Sequence, residues 1–289
     1  MEKVSAYIGR RKLKISTIVG IAALHAGLVL APFTFTWSGL IVCLVLVFVT
    51  GALGITVCWH RLLTHRSFKT PKLVEYILTG CGCLALQGGP ISWVAAHRLH
   101  HKEADLPPDP HTPLVNFLWS HVGWLFFTDP QLDTYDKLRR WAKDLDRDRV
   151  IRFFQKSCVP LYFAVAGALF LVGFLIGGWK FGLSLVVWGS IVRTVYVWHV
   201  TWLVNSATHL WGYRNYPTKD NSRNTWWVAL LTFGEGWHNN HHAVQHSAAH
   251  GHRWFEFDVT YLTIRAMELL GLASHVVRPN NLARMQDAA

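Results

Sequence analysis

Four long apolar runs, joined in pairs by very short links, constrain this chain more than any other feature. Residues 16–34 form a run of about 19, just enough for a helix rising 1.5 Å per residue to cross a hydrocarbon layer of roughly 30 Å. A second run, 39–58, follows a link of Phe35, Thr36, Trp37 and Ser38. Residues 160–178 and 181–205 repeat the arrangement around Gly177, Gly178, Trp179 and Lys180. Such short links join antiparallel neighbours, so each pair is expected to form a membrane hairpin. Two runs back to back also argue against a cleaved leader, although Arg10, Arg11, Lys12 and Lys14 precede the first.

The expected fold class is therefore an all-α integral membrane protein, one domain over residues 1–289. Four transmembrane helices at about 16–34, 39–58, 160–178 and 181–205 would carry a cytosolic helical cap made of 60–157 and 206–289. Within the cap, 73–96 is apolar but interrupted by Gly80, Gly82, Gly88, Gly89 and Pro90, which suits an interfacial or partly inserted helix. Residues 105–111 read as a Pro/Asp loop and 133–156 as a polar helix.

Charge placement supports this topology. A net charge of +11 is compatible with nucleic acid, but the cations are not spread along the chain. Of 28 Lys and Arg, five lie in residues 1–15, fourteen in 60–156 and seven after 206; only Lys180 and Arg193 fall elsewhere. That asymmetry is the one expected of basic segments kept on the cytoplasmic side against anionic lipid. Both termini and every histidine cluster then share that side. The five cysteines (Cys43, Cys58, Cys81, Cys83, Cys158) lack zinc-knuckle spacing and read as reduced and structural.

Nine of the 17 histidines stand out. Eight fall in three clusters, His60/His65, His97/His100/His101 and His238/His241/His242; the ninth, His209, follows Asn205-Ser-Ala-Thr. Neutral imidazole is the commonest nitrogen ligand for iron, zinc and copper, and nine are too many for one ion but suit two. Helical spacing puts each triplet within about 100° of arc, able to face a shared centre. His60 and His65 are about 140° apart on an α-helix, so either the helix unwinds near Leu63–Thr64 or the two serve different metals. A closed structural zinc site wants four ligands, usually with Cys, and is disfavoured. A two-metal, nine-histidine site in a membrane protein reads most simply as an oxygen-activating di-iron enzyme. Asp105, Asp109 and Glu235 are candidates to accept hydrogen bonds from ligand imidazoles. His111 and His121 are assigned structural roles, and His246, His250 and His252 a solvated loop. Arg193 and His199 lie within an apolar run, where polar groups often mark function.

The H-x₄-H, H-x-x-H-H and H-x-x-H-H boxes resemble those of the membrane fatty acid desaturases. The surrounding text is nearest the Δ9 (stearoyl-type) branch in its bacterial and cyanobacterial form: His60-Arg61-Leu62, His97 to Lys102, Asp109-Pro110-His111, Ser120 to Trp124, Thr201 to Ser206, and Gly234 to His242. The resemblance covers about 50–265. It implies two Fe²⁺ ions bound by His60, His65, His97, His100, His101, His209, His238, His241 and His242, with Asn205 reaching one iron through water. It also implies an O₂-dependent reaction that places a cis double bond in a fatty acyl chain, on membrane lipid or acyl-CoA. Hydroxylation of an acyl chain or alkane on the same scaffold, or a non-enzymatic metal carrier, are the alternatives.

No haem, iron–sulfur or nucleotide-binding motif is present, so electrons are expected from a separate ferredoxin or cytochrome b5 type donor with its reductase. Animal enzymes of this branch hold coenzyme A with polar and basic residues near the second box and after the S-H-V-G-W-L stretch. Here those places read Gly88-Gly89, Ala95-Ala96 and Thr128-Asp129-Pro130, which lack the cations a phosphorylated carrier favours. A lipid-esterified acyl chain is therefore the expected substrate.

Overall fold

The computed structural model describes residue 9 and residues 11–279; Arg10 and both chain ends lie outside the described residues. All regular structure among them is helical. In chain order, α1 is Ile15–Gly27 and α2 is Trp37–Val47, which continues as a π-helical stretch, Phe48–Thr64. Helices α3 (Lys72–Cys83), α4 (Pro90–Glu103) and α5 (Phe117–His121) follow, then the short α6 (Tyr135–Trp141) and α7 (Lys143–Asp146). The long α8 (Arg149–Val186) leads through a π turn, Val187–Val192, into α9 (Arg193–Ser206). Three helices come last among the described residues: α10 (Trp226–Leu231), α11 (His238–Ala243) and α12 (Val259–Leu269).

Among the described residues, two continuous helical segments are long and apolar enough to cross a membrane, Trp37–Thr64 and Arg149–His209, and Ile15–Leu30 is a shorter apolar helix. The second segment is not straight. Gly177 leaves helical geometry and Gly178 takes φ 75°, a left-handed conformation that only glycine adopts freely, so the chain folds back there. Its two arms then meet closely: a Cβ on Gly173 would lie 2.7 Å from the Gly182 Cα.

Three local expectations change. The run expected at 39–58 does not end before His60; its helix carries on to Thr64, so His60 sits inside it, buried. The apolar stretch 73–96 is two helices, α3 and α4, separated where Gly88 takes φ 86° and Pro90 opens α4. The polar stretch 133–156 is not one helix. Thr134 caps α6, Ala142 breaks the run with φ −133° and ψ 43°, and Asp148 starts α8 afresh by accepting from Val150 N and Ile151 N.

The buried core lies where the π stretch crosses α3 and meets α4, with Trp59, Leu62, Leu63, Cys83, Ile91 and Val94 inside it. The crossing is close enough that a Cβ on Gly54 would stand 2.4 Å from the Gly82 backbone nitrogen. Segment 84–87, which leads to α4, is tied to α9 by side chains. Arg193 donates to Leu84 O, Trp198 Nε1 to Ala85 O (2.8 Å) and Gln87 Nε2 to Thr201 Oγ1 (2.9 Å). Arg193 is thus a buried cap on the Leu84 carbonyl at the end of α3. All five cysteines are free thiols.

Candidate metal centre

The π geometry resolves the problem posed by His60 and His65. A π turn closes i→i+5 hydrogen bonds, so residues five apart stack one turn above each other. His65 N donates to His60 O at 3.2 Å, and Thr64 Oγ1 donates back to Trp59 O at 2.7 Å. The two rings come to 4.8 Å and face the same group, not different ones.

The nine histidines separate into five and four. In the first group, His60, His65, His97, His101 and His241 place one nitrogen each within 4.8 Å of all the others; His100, His209, His238 and His242 do the same in the second. Neither triplet serves a single centre. On α4, His97 and His101 are i,i+4 partners on one stripe, whereas His100 points 60–100° away, at the other group, by the ~100° step of the α-helix. On α11 the pair is His238/His242, and His241 is the one that crosses over.

Spacing inside the groups is that of metal ligands. The Nε2 contacts His60–His241, His241–His101, His101–His97 and His97–His65 measure 3.1, 2.9, 3.0 and 3.1 Å. His238–His209 in the second group is 3.1 Å. Nitrogens about 2.1 Å from one ion and at right angles stand ~3 Å apart. A ring of imidazoles with one proton each cannot satisfy so many converging lone pairs by hydrogen bonding; a shared Lewis acid can. Burial, reinforced by neighbouring imidazoles, holds His65, His97, His101, His238 and His241 well below the ordinary histidine range, so their rings are neutral at pH 7.

Carboxylates stand behind the rings. Asp109 Oδ2 accepts from His100 Nδ1 (3.0 Å), Asp105 from His209 Nδ1 (3.2 Å), and Glu235 Oε2 lies 2.5 Å from His60 Nδ1. A fourth acid, Asp220, accepts from His242 Nδ1 at 2.8 Å. Burial would raise these acids, yet the cations and imidazoles facing them hold all four below the usual carboxylate range. The pattern fixes tautomers, leaving Nε2 free to ligate. Glu235 is held in turn by Arg61, a side chain with no exposure, which donates to Glu235 Oε1, to both Asp258 oxygens and to Ala248 O.

Sequence reasoning missed Asp220, Arg61 and Asp258 as parts of this arrangement. It also misplaced His250, which is buried, 3.2 Å from Glu235 Oε2 and stacked 4.3 Å from the His241 ring. His246 is exposed and donates to His65 O; His252 is half-buried against Tyr216 Oη. His111 packs 4.3 Å from His100. His121 bonds Ser206 and His199, and His199 bonds His25 of α1, so the α1–α9 contact carries a row of three imidazoles.

The five-histidine group forms part of the wall of a narrow, mostly apolar cavity. His60, His97 and Asn205 line it beside Ile55, Trp93, Val197, Val200, Val204 and Phe233. Asn205 is half-buried there. An apolar cavity ending on clustered imidazole nitrogens that could hold a metal suits chemistry on an unfunctionalised hydrocarbon.

Residues 35–267 match the family model described as fatty acid desaturase. The chain belongs to that family. Among curated relatives, this desaturase is 51% identical over 255 residues to the sn-1 stearoyl-lipid 9-desaturase of Anabaena variabilis, covering 88% of this chain and 90% of that one. It is 46% identical over 272 residues to the sn-1 stearoyl-lipid 9-desaturase of Synechocystis, covering 94% and 81%. It is also 40% identical over 290 residues to the icosanoyl-CoA 5-desaturase of Limnanthes douglasii, covering 99% and 79%. The desaturase is therefore an oxidoreductase acting on fatty acyl chains.

Proposed function

We propose that this chain is an O₂-dependent di-iron desaturase that introduces a cis double bond, at the Δ9 position, into a saturated acyl chain esterified in a membrane lipid. The observation that carries the reading is the five-histidine group ending an apolar cavity. One iron would be held by His60, His65, His97, His101 and His241, the other by His100, His209, His238 and His242, with Asn205 placed to reach an iron through water. When bound, the iron pair with O₂ and two outside electrons supplies the oxidant for removing two hydrogens from a methylene pair.

The chain's own residues do everything else. Ile55, Val197, Val200 and Val204 exclude water and hold methylenes by dispersion contact. Trp93 stacks on His97 at 5.1 Å and fixes that ring at the cavity wall. Asp105, Asp109, Asp220 and Glu235 orient four imidazoles and raise their basicity.

A lipid-linked substrate is favoured by the stearoyl-lipid relatives at 51% and 46% identity against 40–42% for the acyl-CoA relatives. The local charge does not add to this argument, because Arg11 pairs with Asp129 at 3.0 Å and Lys12 is bonded to Thr128, so cations do stand beside residues 128–129. The apolar helix Ile15–Leu30, the helix Trp37–Thr64 and the segment folded back at Gly178 support four spans, with the histidine groups on the cytoplasmic side. Electrons come from a separate ferredoxin or cytochrome b5 type protein and its reductase.

The test is lipid analysis of a desaturase-deficient host expressing the chain. Δ9-unsaturated chains in intact glycerolipid are expected. Turnover of stearoyl-CoA alone would refute the lipid-linked substrate, and hydroxylated chains without a double bond would refute desaturation.

A further inference from the structure

Helix α11 carries three of the nine histidines on only six residues, His238–Ala243, too few for a helix to persist by its own hydrogen bonds. It is bolted in place through the two residues between those histidines, Asn239 and Asn240, neither of which has any exposure. Asn224, just before α10, accepts from the backbone N–H groups of both through its Oδ1, at 3.0 and 3.2 Å, and so caps the helix from outside it. Asn239 Oδ1 accepts from Asn215 N and Tyr216 N, both at 2.8 Å.

Asn240 fills all four hydrogen-bonding positions of its amide. Its Oδ1 accepts from Asn215 Nδ2 and Asn224 Nδ2, each at 2.8 Å. Its Nδ2 donates to His250 O at 2.8 Å and to Glu256 Oε2 at 2.7 Å. Glu256 is the hub of this network, buried at 4% exposure, and its carboxylate takes five donors. Tyr213 Oη (2.6 Å) and Asn215 Nδ2 (2.8 Å) reach Oε1; Asn240 Nδ2, His252 N (2.6 Å) and Arg253 N (2.9 Å) reach Oε2. Three segments therefore meet on one carboxylate. They are the stretch 213–224, which carries Asp220 behind His242; α11 itself; and the loop 250–253, which lays His250 against the His241 ring.

We propose that Glu256 is a positioning residue for both metal groups: through Asn240 it sets the rotation of α11, so that His241 reaches one group while His238 and His242 reach the other. The inference rests on the two-iron reading above. A turn of α11 by about 10° would carry its side-chain ends, roughly 5–6 Å from the axis, through about 1 Å. Metal–nitrogen distances tolerate only about ±0.2 Å. Because the three ligands ride on one short helix, such a turn displaces them together. An acid behind a single imidazole acts on one ion; an acid behind the helix acts on both.

The experiment loads full-length protein with ⁵⁷Fe(II) and compares wild type, Glu256→Gln and Asn215→Ala. Metal per chain is measured against increasing chelator, and Mössbauer spectra are recorded at full loading. Two irons per chain in two environments in wild type uphold the two-iron reading whatever the variants do; a single iron would refute that reading and this proposal with it. Gln at 256 keeps one acceptor oxygen where five donors converge, and in either orientation its NH₂ faces an N–H donor. Both release steps should therefore move together, to about tenfold less chelator, with both iron spectra altered. Asn215 is half-buried, and Asn215→Ala removes one donor each from Glu256 and Asn240. It should shift both steps the same way by a smaller factor, and it carries the test if Glu256→Gln does not fold. Movement of one step alone would overturn the proposal. So would a lowered melting temperature of the metal-free variants with release steps and spectra as in wild type, since Glu256 would then serve stability only.

Discussion

Replacing Asp220 with Asn should loosen one metal position and leave the other almost untouched. The two groups are backed unequally. Three of the four imidazoles in one group give Nδ1–H to a carboxylate: His100 to Asp109, His209 to Asp105 and His242 to Asp220. In the five-histidine group only His60 has such a partner, Glu235, while His101 and His241 leave Nδ1 without a hydrogen bond. Asp220 is fixed by Thr218 Oγ1 (2.9 Å) and Ser222 N (3.0 Å), so the substitution removes charge with little loss of shape. Removing such a partner weakens metal binding about 10–100-fold, roughly 1.4–2.8 kcal/mol at about 1.4 kcal/mol per decade. Iron-loaded protein would be dialysed against increasing chelator and metal per chain measured at each step. Wild type should release its two irons in separable steps. In Asp220→Asn the step belonging to the four-histidine group should move to about 10–100-fold less chelator, with the other step in place. Parallel movement of both steps, or none, would refute the reasoning that the carboxylates act group by group.

Other outcomes follow from the same geometry. His100→Ala and His241→Ala, one from each group, should each abolish desaturation in lipid analysis while the protein still fractionates with membranes, because the apolar helices do not depend on them. Cysteine placed at Trp37 or Gly178 should react with an impermeant thiol reagent from outside the cell; cytoplasmic labelling of either would overturn the four-span reading. Burial lowers His242 and His250 to about 4 from 6.5, so the folded state binds fewer protons than the unfolded chain between those values. The metal-free protein should therefore lose thermal stability as pH falls from about 6.5 to about 4, as read from its melting temperature. Gly54→Val should sharply lower the yield of folded protein, because the new Cβ meets backbone of the α3 crossing and not a side chain able to move; wild-type yield would be the contrary result.

The nine histidines were readable because their spacing repeats, and the helices bearing two of the boxes were readable with them. Their division into five and four was not, since whether His100 or His101 faces a given group depends on where α11 and the π stretch lie beside α4. Reading His60 and His65 at 3.6 residues per turn put them on different faces; the wider π turn that reunites them leaves no mark on hydrophobic periodicity. Asp220 sits in a polar loop of Lys219, Asp220, Asn221 and Ser222, and its partner His242 is on another element, so nothing local distinguishes it from a surface charge. His250 misled for the opposite reason. Gly251 and His252 give it the look of a loop, while Arg61, Glu235 and Asp258 draw that loop into the interior.

The ties from Leu84, Ala85 and Gln87 to α9 bear on how the histidine groups would keep their places without a bound ion. They anchor the approach to α4 at Arg193, Trp198 and Thr201, on the same helix that ends beside Asn205 and His209. The height of one set of imidazoles relative to another is thus measured against a shared helix by groups that are not ligands. In a zinc finger the ion itself organises the chain and its removal unfolds it. Here the helix packing itself would order the backbone, which would leave little conformational entropy for a bound metal to overcome. On the di-iron reading, exchange of a metal would then be a local opening and reclosing of imidazoles, repeatable without refolding the chain.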